Sequence, residues 1–219
     1  AALDDVTAAA LAIPGMSSWA ALTERARFKA GQTVLVNGAT GASGKLAVQI
    51  ARHMGARRVI AAGRNKTALE ALKRLGADTT VELQPDEANL ISAFVPIFDE
   101  GVDVVLDYLW GSSARALLIA AAKATAERPV RFVQIGSISG QEIALPGAVL
   151  RAAPITLLGS GIGSVSLARL CQAAQKVFEA AVPAKLEIAT KAVPLSTLGE
   201  HWADTRSDVR TVFTMGTGQ

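Results

Sequence analysis

Val34-Leu35-Val36-Asn37-Gly38-Ala39-Thr40-Gly41-Ala42-Ser43-Gly44 is the stretch whose reading decides the fold. A short aliphatic run, Val34 to Val36, reads as a buried strand. The glycines that follow read as a tight turn, and a helix is expected from about Ala42 to Met54. Leu46, Ala47, Ile50, Ala51 and Met54 recur at helical spacing and form its inner stripe, and Gly55 stops it. A strand, a glycine turn and a helix in immediate succession are the first half of a strand–helix–strand unit.

Working outward, the same rhythm repeats. Val59 to Ala62 reads as a second strand and Thr67 to Leu75 as a second helix, closed by Gly76. A short third strand is expected at Thr80 to Glu82, and a third helix from about Asp86 to Phe98, with Pro96 near its end. Val102 to Leu106, Val130 to Ile135 and Ile155 to Leu158 read as further strands, and Ser112 to Ala126 as an Ala-rich helix. Strands alternating with helices pair in parallel through right-handed crossovers. Their nearly continuous apolar character requires both sheet faces to be covered. The expected architecture is α/β, a doubly wound parallel sheet of six strands with helices on both faces. Past a helix from Val165 to Ala181, the strands Leu186 to Val193 and Arg210 to Met215 flank a helix from Ser196 to Asp204. This β-α-β tail divides the chain into 1–185 and 186–219.

Length fits one large domain or a domain with an appendage. Half of the 219 residues are hydrophobic and only 5% aromatic, enough to bury a core without disulfides. Cys171 is the single cysteine, which excludes an internal disulfide or a multi-Cys zinc site and suits a reducing, cytoplasmic setting. Net charge is +3 with scattered basic residues, so no nucleic acid partner is expected. No apolar run reads as approaching the roughly 20 residues that span a bilayer. The N-terminus carries Asp4 and Asp5 where a signal peptide would be basic, and it begins at Ala1 rather than Met.

The turn Gly38-Ala39-Thr40-Gly41-Ala42-Ser43-Gly44 sits where a diphosphate would meet unpaired amides at the positive end of a helix dipole. Gly38 permits the exit from the strand, Gly41 the approach of the phosphate, and Gly44 close helix–strand packing. The spacing Gly-x-x-Gly-x-x-Gly is looser than the commoner dinucleotide fingerprint, and its strand–turn–helix context gives it meaning. An NAD site places a carboxylate after the second strand. Here that place holds Gly63, Arg64, Asn65 and Lys66, with no acid before Glu70. Arg64 offers a planar fork for a phosphate and Lys66 a point charge, so the expected cofactor is NADP(H). Ligands lie outside the carboxyl ends of such strands, which adds Leu106, Asp107 and Tyr108, Ile135, Gly136 and Ser137, and Gly159 and Ser160. Asp107 reads more readily as a local cap than as a catalytic acid.

At this point a family resemblance becomes specific. Ala8 to Leu22, the approach Lys29-Ala30-Gly31-Gln32-Thr33, and Val102-Asp103-Val104-Val105-Leu106-Asp107 resemble the cofactor half of medium-chain dehydrogenases/reductases. Within it the chain is most similar to the zinc-free, NADPH-dependent quinone oxidoreductase branch. The resemblance implies strand order 3-2-1-4-5-6 and a homodimer joined through the sixth strand. It implies cofactor contacts at Ser17, Thr40 to Gly44, Arg64, Lys66, Leu106 and Ile135 to Ser137. It further implies that 186–219 returns to complete a catalytic domain that would precede Ala1, so that this chain alone lacks a full active site.

The implied activity is hydride transfer between NADPH and a small-molecule acceptor, a quinone, an enone or a carbonyl compound. No catalytic residue is identifiable. A non-catalytic NADP(H)-binding or redox-sensing module is the alternative. A short-chain reductase is disfavoured, because Tyr108 is the only tyrosine and Ser112, not lysine, stands four residues on. Cys171, His53 and His201 are scattered on expected helices, and no metal site is expected from them. Neither a nucleic acid nor a membrane is expected as partner.

Overall fold

The computed structural model describes residues 3–126, 128–204, 206 and 208–215. Its main sheet has six strands, all parallel, in the order β3-β2-β1-β4-β5-β6. These are β1 (Thr33–Asn37), β2 (Arg58–Gly63), β3 (Thr79–Glu82), β4 (Val104–Asp107), β5 (Val130–Gln134) and β6 (Ile155–Gly159). The helices between them are α2 (Ala42–His53), α3 (Lys66–Arg74), α4 (Glu87–Asp99), α5 (Gly111–Lys123) and α6 (Gly147–Ala152), with α1 (Asp5–Ala20) before the sheet and α7 (Leu167–Ala181) after it. Alternate side chains of the strands serve two cores. Val34, Val36, Ala61 and Leu106 meet α1, α2, α3 and α7, while Leu35, Ile60, Val105 and Phe132 meet α4, α5 and α6. Every position of β1 and β4 is buried, as a sheet covered on both faces demands.

Strand order reverses between β1 and β4, so the connections leaving these two strands diverge and open a crevice at their carboxyl ends. Asn37 and Asp107, the last residues of the two strands, stand opposite each other in register.

Several boundaries differ from the expectation, each for a local reason. The strand expected over Leu186 to Val193 is β7 (Thr190–Pro194) only. Gln49 of α2 occupies the earlier segment: its amide donates to the Glu187 carbonyl at 2.9 Å and accepts from the Glu187 N–H at 2.7 Å. Both backbone groups a strand neighbour would use are thus taken. The helix expected at Ser196 is a 3₁₀ turn (Leu195–Thr197) followed by the single turn α8 (Leu198–His201). β7 pairs in parallel with β8 (Arg210–Thr214), and this small sheet packs on α1. α5 stops at Lys123, because the Asp99 carboxylate accepts from the backbone and hydroxyl of Thr125. α6, after Pro146, was not expected.

The N-terminal helix is longer than the apolar runs suggested. α1 continues through the π-turn Ala21–Arg25, giving a 21-residue helix whose most apolar 18-residue stretch has mean hydropathy 1.3, long and apolar enough to cross a membrane by length and composition. Pro14 and the serines at 17 and 18 interrupt the apolar sequence without ending the helix. Its Leu11, Ala21 and Leu22 are wholly buried in the core it shares with α2 and α7.

Candidate functional site

The turn after β1 is set by backbone geometry before any ligand is considered. Gly38 has φ +86°, a region that L side chains avoid. Gly38 and Ala39 both donate to the Ala62 carbonyl of β2, at 3.0 and 2.9 Å, which ties the turn to the neighbouring strand. Gly41 opens α2 in an extended conformation, and no side chain caps the helix. The first amides of α2 lack intrahelical acceptors and face a crevice where the helix dipole favours negative charge.

That crevice is a cavity of about 390 Å³, within the range of small-molecule sites. Ser17 of α1, Gly38, and Thr40 to Gly44 form one side, and Gly63 and Arg64 at the end of β2 another. Tyr108 and Leu109 after β4 and Ile135, Gly136 and Ile138 after β5 complete the walls, with Arg206 and Arg210 reaching in from the tail. Among the described residues, three arginines and no carboxylate line it, a composition matched to an anion rather than a cation. Arg64 is exposed, whereas Arg206 also pairs with Asp208 at 3.2 Å.

Eleven of the expected residues therefore meet around one cavity: Ser17, the five from Thr40 to Gly44, Gly63, Arg64, Tyr108, Ile135 and Gly136. The others are placed differently. Asn65 caps α3, accepting from the Ala68 N–H at 2.9 Å, and Lys66 is the exposed first residue of that helix. Leu106 and Asp107 have no exposed surface; they lie under the wall, because a strand buried on both faces offers only the residues past its end to a ligand. Ser137 and Gly159 border a neighbouring cavity of about 370 Å³ with Trp110, Gln134 and Leu157. The Ser160 N–H donates to the Gln134 carbonyl at 2.8 Å and so prolongs the β5–β6 ladder.

Tyr108 lines the cavity as its place at the β4 end implies, whereas Leu109, Ile138, Arg206 and Arg210 have no counterpart in the sequence reading. Leu109 directly follows Tyr108 and was legible by the rule that ligands lie outside strand ends. Nothing in the sequence brings Arg206 and Arg210, on the far tail, to this crevice.

Two titratable groups under the wall are strongly shifted. Burial pushes the Asp107 carboxyl up to about 6, against the lowering effect of bonds from the Leu109 N–H, the Asn37 amide and the Trp110 N–H. Burial likewise pushes the Tyr108 phenol up to about 12, against its bond with Ser18. The Tyr108 and Ser18 hydroxyls lie 2.7 Å apart. Asp107 thus acts as the local cap, bonding backbone rather than facing the cavity.

Comparison with known proteins places this geometry. Residues 42–187 match the zinc-binding dehydrogenase family. A probable NADPH-dependent quinone reductase from Emericella nidulans is 32% identical over 212 residues, 92% of this chain and 59% of that protein. A 2-alkenal reductase (NADP(+)-dependent) from Nicotiana tabacum is 33% identical over 110 residues, 50% of this chain and 32% of that protein. A solved 2-haloacrylate reductase superposes with a TM-score of 0.80 at 22% identity, covering 98% of this chain and 67% of that one. The chain spans a little over half the length of the fungal relative.

The matched family's name implies zinc. Among the described residues no three His, Cys, Asp or Glu side chains converge, and Cys171 is exposed on α7. The described residues do not fit a zinc site, which needs three or four such ligands.

Proposed function

This chain belongs to the zinc-binding dehydrogenase family, within the medium-chain dehydrogenase/reductase superfamily and on its quinone oxidoreductase-like side, and from that premise we propose that it is the NADPH-binding part of a reductase. The observation that carries the reading is the uncapped start of α2 facing a cavity with three arginines and no acid. The Thr40 to Gly44 amides hold the diphosphate and Arg64 the ribose 2′-phosphate. Ser17, Tyr108 and Ile135 would wall the nicotinamide end, while Gly159 borders the neighbouring cavity beside it. Arg206 and Arg210 add charge from the tail.

When bound, NADPH supplies a hydride. The protein's residues orient it and exclude water, and the acceptor is a quinone or an activated alkene, as the names of the fungal and plant relatives suggest. Tyr108 stays protonated at neutral pH and is engaged with Ser18, so it does not offer a ready proton. The proton that completes the reduction would come from solvent or from residues outside this chain.

The same reading extends to the surroundings. Among the described residues β6 pairs on one side only, with β5, and Leu157 on it is 41% exposed. An open parallel edge of this kind is suited to continue across a two-fold axis, and a homodimer through β6 is proposed. A cytoplasmic location and a small-molecule substrate, with no nucleic acid or membrane partner, belong to the same proposal. The tail from residue 186 would belong with a further domain.

The test is a fluorescence titration of the chain with NADPH and with NADH. Saturable binding with a clear preference for NADPH is expected. No saturation by either cofactor would overturn the reading.

A further inference from the structure

We propose that Asp107 is a positioning residue of the cofactor pocket, holding the Tyr108–Gly111 turn against Gly38 through a network that rearranges when its carboxyl gains a proton. The proposal rests on the NADPH reading of the cavity.

Asp107 and Asn37 face each other across the β1–β4 boundary, where strand order reverses, and neither has exposed surface. One carboxylate oxygen accepts from the Leu109 N–H at 3.1 Å and from the Asn37 amide at 2.8 Å. The Trp110 N–H reaches both oxygens, at 3.2 and 3.1 Å. These bonds hold Trp110 at φ +57°, a backbone conformation that a bulky side chain seldom adopts. The turn so fixed supplies Tyr108 and Leu109 to the cavity wall. It packs on the phosphate turn so tightly that a Cβ at Gly38 would stand 2.9 Å from the Leu109 Cγ. The carboxyl group thus connects to both sides of the crevice without touching its contents.

The network has an unfilled place. The Asn37 Nδ2 donates to Asp107 and, at 3.0 Å, to the Ser113 hydroxyl, while Asn37 Oδ1 is buried with no partner. This orientation suits an ionised carboxylate, which only accepts. A half-turn of the amide would instead aim Oδ1 at Asp107 and Ser113, where it would accept from a protonated carboxyl and from the serine hydroxyl. The two protonation states therefore prefer different arrangements beneath the wall. Both are accessible near neutrality, since burial raises the Asp107 carboxyl to about 6.

The groups facing Asp107 are uncharged on each packed element: Asn37 from β1, its register partner Gln134 from β5, Ser113 from α5, and the neutral Tyr108. Of the charged side chains of α5, Arg115 is paired with Glu87 and Lys123 lies in the last turn. A bound polyanionic cofactor above the network would be the dominant charge, and it favours the neutral acid.

The experiment is NADPH titration from pH 5 to 8 on the chain and on Asp107→Asn, comparing the two at each pH so that titration of the cofactor's own phosphate cancels. Relative to Asp107→Asn, the unaltered chain should lose at least threefold in affinity between pH 5 and 7.5. Asn37→Ala, which removes a donor to the carboxylate, should move that step to higher pH. A ratio that stays constant across the range, or a step that Asn37→Ala leaves in place, overturns the proposal. If Asp107→Asn does not fold, the Asn37→Ala profile alone decides. A chain that binds no NADPH at any pH overturns the cofactor reading and this inference with it, an outcome distinct from pH-independent binding.

Discussion

A Cβ on Gly44 would lie 2.2 Å from the carbonyl oxygen of Gly38 and 2.6 Å from the Ala39 Cα. The first turn of α2 therefore rests directly on the backbone of the phosphate turn. The atoms in the way are main chain and cannot swing aside as a side-chain tip could. Gly44→Ala must push the helix off the turn, and overpacking of this kind costs about 1–3 kcal/mol. Urea unfolding should show a lower midpoint at unchanged slope, and NADPH binding should weaken with it. Full stability in Gly44→Ala would mean that the helix start is looser than its contacts indicate.

On the proposed reading, Arg64 carries the choice between cofactors. It stands exposed at the mouth of the cavity, where an NAD-binding site would hold an acid. Arg64→Ala removes a charge-assisted bond to the 2′-phosphate, worth roughly 1.5–3 kcal/mol, and so weakens NADPH at least tenfold. NADH, with a hydroxyl there, should be nearly unaffected. Because the site is open to solvent, the NADPH advantage should also shrink as salt is raised. Equal losses for the two cofactors in the titration would remove the assignment.

Much of this architecture was legible because local signals and global packing agree. The run Val34 to Val36, the glycines and the Leu46–Ile50–Met54 stripe all point to one strand–turn–helix unit, and repetition of the pattern yields a parallel sheet covered on both faces. The phosphate side of the site follows from the same stretch, since backbone amides and one nearby arginine depend on position in the chain alone. What was hidden depends on contacts between distant segments. Leu186 looks like the start of a strand until Gln49 takes both backbone groups of Glu187. Arg206 and Arg210 have no sequence pattern connecting them to the turn, and only the docking of β7 and β8 on α1 brings them to the cavity. Of the β4 end Leu106-Asp107-Tyr108, which the strand-end rule sends to the crevice, the first two are wholly buried beneath the wall. The wall begins one residue later, at Tyr108.

The burial of Asp107 has a consequence for stability. Folding raises its carboxyl from the ordinary 3.8 to about 6. Between those values the folded chain holds a proton that the unfolded chain has released. Its contribution is thus full below about pH 4, is lost as the pH rises to about 6, and stays lost above. Two units correspond to roughly 3 kcal/mol. Asp107→Asn keeps one acceptor oxygen, within reach of the Leu109 and Trp110 amides, but cannot ionise. Its unfolding free energy, followed by urea titration at successive pH values, should therefore decline less between pH 4 and 6 than that of the unaltered chain. Parallel curves for the two proteins would show that some other group governs the slope.

The hydroxyls beneath the pocket give the sharpest test of packing against pairing. Ser17 and Ser18 each donate to the Pro14 carbonyl, at 3.0 and 2.9 Å, and Ser18 meets the buried Tyr108 hydroxyl. Since the serine protons are engaged with Pro14, the phenol is the donor to Ser18. Tyr108→Phe then removes one bond and strands no donor, at a cost of about 0.5–1.5 kcal/mol. Replacing both serines by alanine takes away two hydroxyls instead of one and leaves a buried phenol with no acceptor, which costs about 1–3 kcal/mol. Adding Tyr108→Phe to that double variant deletes the stranded group and should recover part of the loss, so the effects must be strongly non-additive. Thermal unfolding of the tyrosine variant, the double variant and the triple variant measures this directly. A triple variant less stable than the double one would show that the phenol is satisfied from elsewhere, and that α1 is not fastened to the β4 turn through these hydroxyls.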